Sequence, residues 1–147
     1  MNRWIVLGLM FLIGLTLPMQ FQTVPALAPY LVAETGLSYT DIGLLTGIFM
    51  FPGVLLALPG GLLVARIGDK WALTSGLAVM LGSAVLFAVS DSYGLMLFSR
   101  LLAGSGAVLV TILLPKVVTD WFAGKEIATA LATIASSFGL GVGLAMA

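Results

Sequence analysis

One arginine lies well inside a long apolar stretch, and its charge makes it the residue best suited to bind a solute. Arg100 lies in the stretch 93–118, roughly 10 Å from the first residue of that stretch if it is helical. Inside a membrane, a guanidinium at this depth costs about 2.5 kcal/mol or more unless it faces water or reaches the surface. Arg100 therefore either snorkels toward the nearer membrane surface or faces a wet cavity, where it attracts an anion or a carboxylate.

Gln20 and Thr23 are polar residues of the first apolar stretch that could bind the same solute. They are three residues apart, which places them on one face of a helix, whereas Gln22 points elsewhere. Amide and hydroxyl groups bind a polar solute without the desolvation cost of a charge. Alternatively, both side chains bond a neighbouring helix or lie near the lipid headgroups, and the sequence leaves both interpretations open.

The composition excludes most classes of soluble protein. Apolar residues make up 61% of the chain and charged residues 8%, whereas a soluble domain has about 45–50% and about 25%. The net charge of zero gives no reason to expect a nucleic-acid partner. The chain has no Cys and no His, so it has no thiolate nucleophile, no imidazole to carry protons near neutral pH and no thiolate or imidazole metal ligand. We expect neither an enzyme nor a cofactor, and no metal site.

Five apolar stretches predict an all-α membrane protein with several spans. Each has about 20 residues or more, enough to cross a hydrocarbon core of roughly 30 Å. The first is longer than the core of a signal peptide, so we expect it to be retained as a helix. Ser38 and Asp41 have the spacing of a capping box and mark the start of the second helix. The predicted helices cover residues 4–27, 40–64, 71–89, 93–118 and 127–147.

The basic residues predict how the chain is oriented in the membrane. They collect at one set of helix ends, whereas the opposite links carry only acidic residues. Because cytoplasmic loops are enriched in Lys and Arg, we expect a cytoplasmic N-terminus. The basic set is Arg3, Arg66, Lys70, Lys116 and Lys125, and the acidic set is Glu34, Asp41 and Asp91.

Glycines at close spacing predict tight helix contacts. Gly43 and Gly47 form a GxxxG pair in the second helix, and Gly104 and Gly106 thin the fourth. Small residues let helices approach each other in lipid. The same feature allows a function of another class, in which a short structural or scaffolding protein associates through its small-residue faces.

Two motifs resemble those of major facilitator superfamily transporters. The link after the second helix resembles the family pattern G-x-L-x-D-R-x-G-R-K, although Ala65 replaces its Asp and Asp69 replaces an Arg. The fourth helix resembles the pattern R-x-x-x-G-x-G at Arg100, Gly104 and Gly106. The matching residues of the link are Gly61, Leu63, Arg66, Gly68 and Lys70.

The resemblance implies a fold and a mechanism. The chain would form part of the N-terminal six-helix bundle of a twelve-helix carrier in the bacterial inner membrane, truncated before the C-terminal half. Such carriers rock two halves about a central site. By resemblance, Arg100, Gln20 and Thr23 would bind the solute, and the link would act as a conformational latch through Gly61, Arg66, Gly68, Asp69 and Lys70. The expected partners are the lipid bilayer, a small-molecule solute and the missing half.

The resemblance also narrows the substrate. Trp121-Phe122 with Glu126 and Ala128 is similar to the corresponding link of nitrate and cyanate porters. Nitrate porters place an anion-binding Arg in the second helix, and this chain has none between Asp41 and Val64. We therefore do not expect nitrate as the substrate. We expect cyanate or another small organic anion. A fragment of an efflux or drug exporter is the alternative within the family.

Overall fold

The computed structural model describes residues 2–124 and 126–147, and within these residues all regular secondary structure is helical. Five helical stretches are long and apolar enough to cross a membrane, which confirms the predicted all-α membrane fold. Lys125, one of the basic residues used to predict the orientation, lies outside the described residues. The helices are α1 Arg3–Thr35, α2 Tyr39–Ile48, α3 Phe51–Ile67, α4 Asp69–Ala88, α5 Tyr93–Trp121 and α6 Ile127–Met146.

The first span is longer than its apolar pattern suggests. Helix α1 continues past residue 27, through Pro29 and the polar end of the stretch, to Gly36 in the left-handed conformation with φ 68°. Glycine adopts this conformation without steric cost and commonly ends helices. The extension matters for function because it carries Tyr30, Glu34 and Thr35 along one wall of a cavity.

The second span consists of two helices with a break in the middle. Pro52 has no N–H to donate to the preceding turn, so one helical hydrogen bond is missing at this point. Instead, Met50 N donates to Gly47 O and Gly53 N donates to Met50 O, both at 3.0 Å. The break between α2 and α3 places Phe49 against α5.

The ends of the second span follow local chemistry. Ser38 and Asp41 form the predicted capping box, in which each side chain accepts from the other residue's backbone N–H. At the far end, Gly68 with φ 82° joins α3 directly to α4. These two features set the entry and the exit of the span.

Close helix contacts are made at small residues. A Cβ at Gly106 would collide with Gly76 O of α4, and one at Gly104 would collide with Phe49 O. A Cβ at Gly141 would collide with Pro18 of α1. In lipid, where burial of apolar surface does not drive helices together, such close packing supplies much of the association energy.

The bundle has two chemically different ends. The charged end carries Arg3, Asp69, Lys116, Asp120 and Glu126, which meet in ion pairs. The cavity end carries Glu34, Asp41, Ser90 and Tyr93, where Tyr93 Oη donates to Asp41 O at 3.3 Å. Arg100 lies between these ends, on the side of the cavity.

Candidate functional site

A cavity of about 410 Å³ lies between α1, α4 and α5 on the side of the cavity end. Its inner part holds Arg100 and Gln20, and its outer part holds Glu34 and Ser90. Most of its wall is apolar. The lining residues are Gln20, Thr23, Leu27, Tyr30, Leu31, Glu34, Thr35, Ala84, Phe87, Ala88, Ser90, Met96 and Arg100.

Arg100 is buried at the inner end of this cavity. Its side chain does not snorkel, since the residue is only 2% exposed. One amino nitrogen, Nη2, donates to Gln20 O at 2.8 Å, but Nε is buried without a hydrogen-bond partner. The three ion pairs found among the described residues do not include Arg100. A guanidinium has five N–H donors, so this charge is largely unsatisfied.

Two aromatic rings surround the guanidinium. The Arg100 Cζ atom lies 4.8 Å from the ring centre of Phe49 and 5.8 Å from that of Phe87. A cation over an aromatic face gains about 0.5–2 kcal/mol, more when both groups are desolvated. The rings stabilise the charge without neutralising it, so they leave it available to an anion.

Gln20 connects three helices at the base of the cavity. Its backbone carbonyl accepts from Arg100 of α5, while its side-chain Nε2 donates to Met80 O of α4 at 3.2 Å. The amide therefore bonds a neighbouring helix, as one of the two sequence interpretations expected. Gln20 also lines the cavity, and its contact with a solute stays a prediction.

Thr23 lines the cavity one turn farther out. Its hydroxyl donates to Met19 O of its own helix at 2.8 Å, which leaves the oxygen able to accept. The structure thus places Arg100, Gln20 and Thr23 around one cavity, whereas Gln22 faces α6 and donates to Met146 Sδ.

The sequence alone did not identify the aromatic partners of Arg100. Pro52 and Gly53 indicate a helix break, but the sequence does not show that this break places Phe49 against α5. Phe87 is one apolar residue of α4 among many, and its closeness to Arg100 depends on how α4 packs on α5. Only the assembled bundle brings these rings together.

The residues of the predicted latch lie at the charged end, where one of them, Asp69, pairs with Lys116. Lys116 Nζ binds Asp69 Oδ2 at 2.7 Å and Asp120 Oδ2 at 3.1 Å. Among the described residues, Arg66 and Lys70 make no ion pair and are exposed. The sequence places Lys116 and Asp69 at the same end of the predicted bundle. Their opposite charges are the sequence feature from which this ion pair could have been predicted.

The glycines differ in what they contact. Gly104 and Gly106 lie where α5 meets the second span and α4. At Gly43, Gly47 and Gly61, by contrast, an added Cβ would meet nothing within 4 Å. The GxxxG pair of α2 therefore faces open space, and its role in packing stays a prediction that requires a partner.

Comparison with known proteins agrees with this architecture. The model of the Major Facilitator Superfamily matches residues 6–147. The chain is 34% identical over 126 residues to the inner membrane transport protein YajR of Escherichia coli. It is 30% identical over 125 residues to the quinolone resistance protein NorA of Staphylococcus aureus.

The chain spans only part of these relatives. The YajR match covers 86% of this chain and 27% of YajR, and the NorA match covers 82% of this chain and 32% of NorA. Neither relative is named as a nitrate or cyanate porter, so these comparisons do not confirm the predicted branch.

Proposed function

The chain belongs to the major facilitator superfamily, and on this premise we propose that it forms part of a carrier that moves a small organic anion by alternating access. The cavity between α1, α4 and α5 would receive the solute. Arg100 would bind its anionic group, and Gln20 and Thr23 would make polar contacts.

The observation that carries this proposal is the unsatisfied charge of Arg100. A buried cation without a carboxylate partner is costly, and a bound anion would supply the missing counter-charge. Nε is already free of competing bonds. A charged hydrogen bond of this kind contributes about 1.5–3 kcal/mol.

We further propose a bacterial inner-membrane location with a cytoplasmic N-terminus. The basic residues at the charged end support this orientation. Because YajR and NorA are much longer than this chain, we expect the transport cycle to need further helices equivalent to a C-terminal half.

The link around Gly68 would serve as the conformational latch. Gly68 provides the tight turn, and Asp69 is held by Lys116. Arg66 and Lys70 are exposed beside them and free of ion pairs within the described residues, so they are available to another part of a longer carrier. Gly61 leaves open space on its side of α3.

Export of an amphipathic compound is the second candidate. The cavity wall is mostly apolar, with Leu27 and Leu31 of α1 and Phe87 of α4 among its lining residues. The similarity to a quinolone resistance protein also favours this direction. Placement in the nitrate and cyanate porter branch rests on the link Trp121-Phe122 with Glu126 and Ala128 and remains a prediction.

Transport by the complete native protein in proteoliposomes would test the proposal. We expect Arg100→Gln to reduce uptake of a panel of small carboxylates by about 10–100-fold, the loss of one charged hydrogen bond. Arg100→Lys keeps the charge but not the planar fork and should be intermediate. Arg3→Lys, which changes an exposed arginine at the charged end, is the matched control.

Two results would contradict the proposal. Transport of every carboxylate at native rates in Arg100→Gln would exclude Arg100 as the anion site. A protein that transports nothing but self-associates, and loses association in Gly43→Leu and Gly47→Leu, would favour the scaffolding function instead.

A further inference from the structure

The two ends of the cavity carry opposite charges. Arg100 lies at the inner end, and Glu34 lines the outer end. The Arg100 guanidinium is fixed at the level of Gln20 by its bond to the Gln20 carbonyl. Gln20 and Glu34 are about 20 Å apart along α1 at 1.5 Å per residue, so the cavity is elongated and has a positive and a negative end.

Three hydroxyl groups that line the cavity add to this polarity. Thr23 donates to Met19 O, Thr35 donates to Leu31 O and Ser90 donates to Leu86 O. Because each hydroxyl proton is bonded to a backbone carbonyl, each oxygen keeps lone pairs that can accept a hydrogen bond from a solute. The outer part of the cavity therefore prefers a hydrogen-bond donor or a cation.

Arg100 makes the inner part different. It offers N–H donors and a positive charge, and its buried Nε has no partner. The remaining wall is apolar, with the ring of Tyr30 near the outer end and that of Phe87 near the inner end. A solute with an apolar body, an anion at one end and a cation at the other would match each section.

A simple anion matches the cavity less well. The links at the cavity end carry Glu34, Asp41 and Asp91 and no Lys or Arg. Of these three carboxylates only Glu34 lines the cavity, where it repels a solute with only negative charge and attracts one that also carries an ammonium group.

Building on the proposed function, we infer that the cavity binds an elongated zwitterion, with its anionic group on Arg100 and its cationic group beside Glu34. Glu34 is thus a specificity-determining residue of the carrier. It selects among anions by favouring those that also carry a positive charge.

Three rigid probes with one shared body would test this inference. The first is biphenyl with a carboxylate on one ring and an aminomethyl group at the far end of the other. The second replaces the aminomethyl group by methyl, and the third replaces the carboxylate by carboxamide. Equilibrium binding of each is measured to the complete native protein in lipid nanodiscs, and to Glu34→Gln, Asp91→Asn and Arg100→Gln.

We expect the zwitterion to bind native protein about tenfold or more tightly than either probe with one charge, as for one added charge-assisted contact. Glu34→Gln should remove this advantage while leaving the anionic probe bound as tightly or more tightly. Asp91→Asn changes a carboxylate at the same end that does not line the cavity, and it should preserve the advantage.

Failure of the inference can be separated from failure of the proposed function. An unchanged zwitterion advantage in Glu34→Gln, or an equal loss in Asp91→Asn, would overturn the inference alone if anion binding still required Arg100. Binding of the anionic probe that is indifferent to Arg100→Gln would overturn the proposed function on which it rests. Glu34 is exposed, so its substitution by Gln does not disturb the core.

Discussion

The charged end and the cavity end of the bundle use their charges in opposite ways. At the charged end, Arg3 binds Glu126 at 2.8 Å and Lys116 binds Asp69 at 2.7 Å, with all four side chains roughly half-exposed. Toward the cavity end, Arg100 is 2% exposed and binds a backbone carbonyl and aromatic rings instead of a carboxylate. At the charged end, partly exposed ion pairs connect the helices. Toward the cavity end, the charge of Arg100 has no carboxylate partner among the described residues.

We propose that this difference separates a structural from a functional use of charge. Exposed ion pairs contribute about 0.2–1 kcal/mol each, so losing one changes stability little. A buried charge is costly unless an opposite charge or a hydrogen-bond partner lies nearby. Because the folded chain compensates Arg100 only in part, a solute can supply the remainder. The predictions below test each side of this comparison.

The largest effect on stability should come from adding a side chain at Gly104, where α5 packs against Phe49. In Gly104→Ala the added Cβ would collide with the carbonyl of Phe49, and the break between α2 and α3 would have to shift. Overpacking of this kind costs about 1–3 kcal/mol. We expect a clear drop in the melting temperature of the detergent-purified protein.

Gly8→Ala is the matched control for this change. An added Cβ at Gly8 meets nothing within 4 Å, so the substitution should leave stability unchanged or raise it slightly through helix propensity. Equal melting temperatures for Gly104→Ala and the native protein would show that the close contact of α5 with Phe49 is absent.

A smaller effect should follow removal of the aromatic ring over Arg100. Phe49→Leu keeps an apolar side chain but removes the cation–π contact, which contributes about 0.5–2 kcal/mol. We expect a moderate loss of stability that a carboxylate ligand partly restores. Phe51→Leu changes an exposed ring two residues away and should have almost no effect. If both variants behaved alike, the ring of Phe49 would not stabilise the charge.

The smallest effect should appear at the charged end. Lys116→Gln removes the ion pairs to Asp69 and Asp120, and we expect only a small loss of stability because the side chains are partly exposed. Salt screens exposed charges, so the difference from native protein should vanish near 1 M salt. A large loss of stability that persists at high salt would contradict the interpretation that weak, exposed ion pairs connect the helices at this end.

The sequence predicted the membrane fold because hydropathy, turns and caps are local signals. It placed the five spans, the Ser38–Asp41 capping box and the glycine turn at Gly68 close to their observed positions. It underestimated the length of α1 because the polar end of that helix, up to Thr35, lies beyond the apolar pattern.

The site was harder to predict because it depends on how helices pack. Depth along a helix pointed to Arg100, and spacing grouped Gln20 with Thr23. The bond from Gln20 to Met80, the rings of Phe49 and Phe87, and the position of Glu34 in the same cavity follow from contacts between helices. No periodicity in the sequence encodes these contacts.

The most direct test of the account is an experimental structure of the complete protein with an aromatic carboxylate bound. We expect the carboxylate to lie within hydrogen-bonding distance of Arg100 Nε, the buried donor that has no hydrogen-bond partner among the described residues. A carboxylate bound elsewhere, with Arg100 still between Phe49 and Phe87 and its Nε unpaired, would contradict the assignment of Arg100 as the anion site.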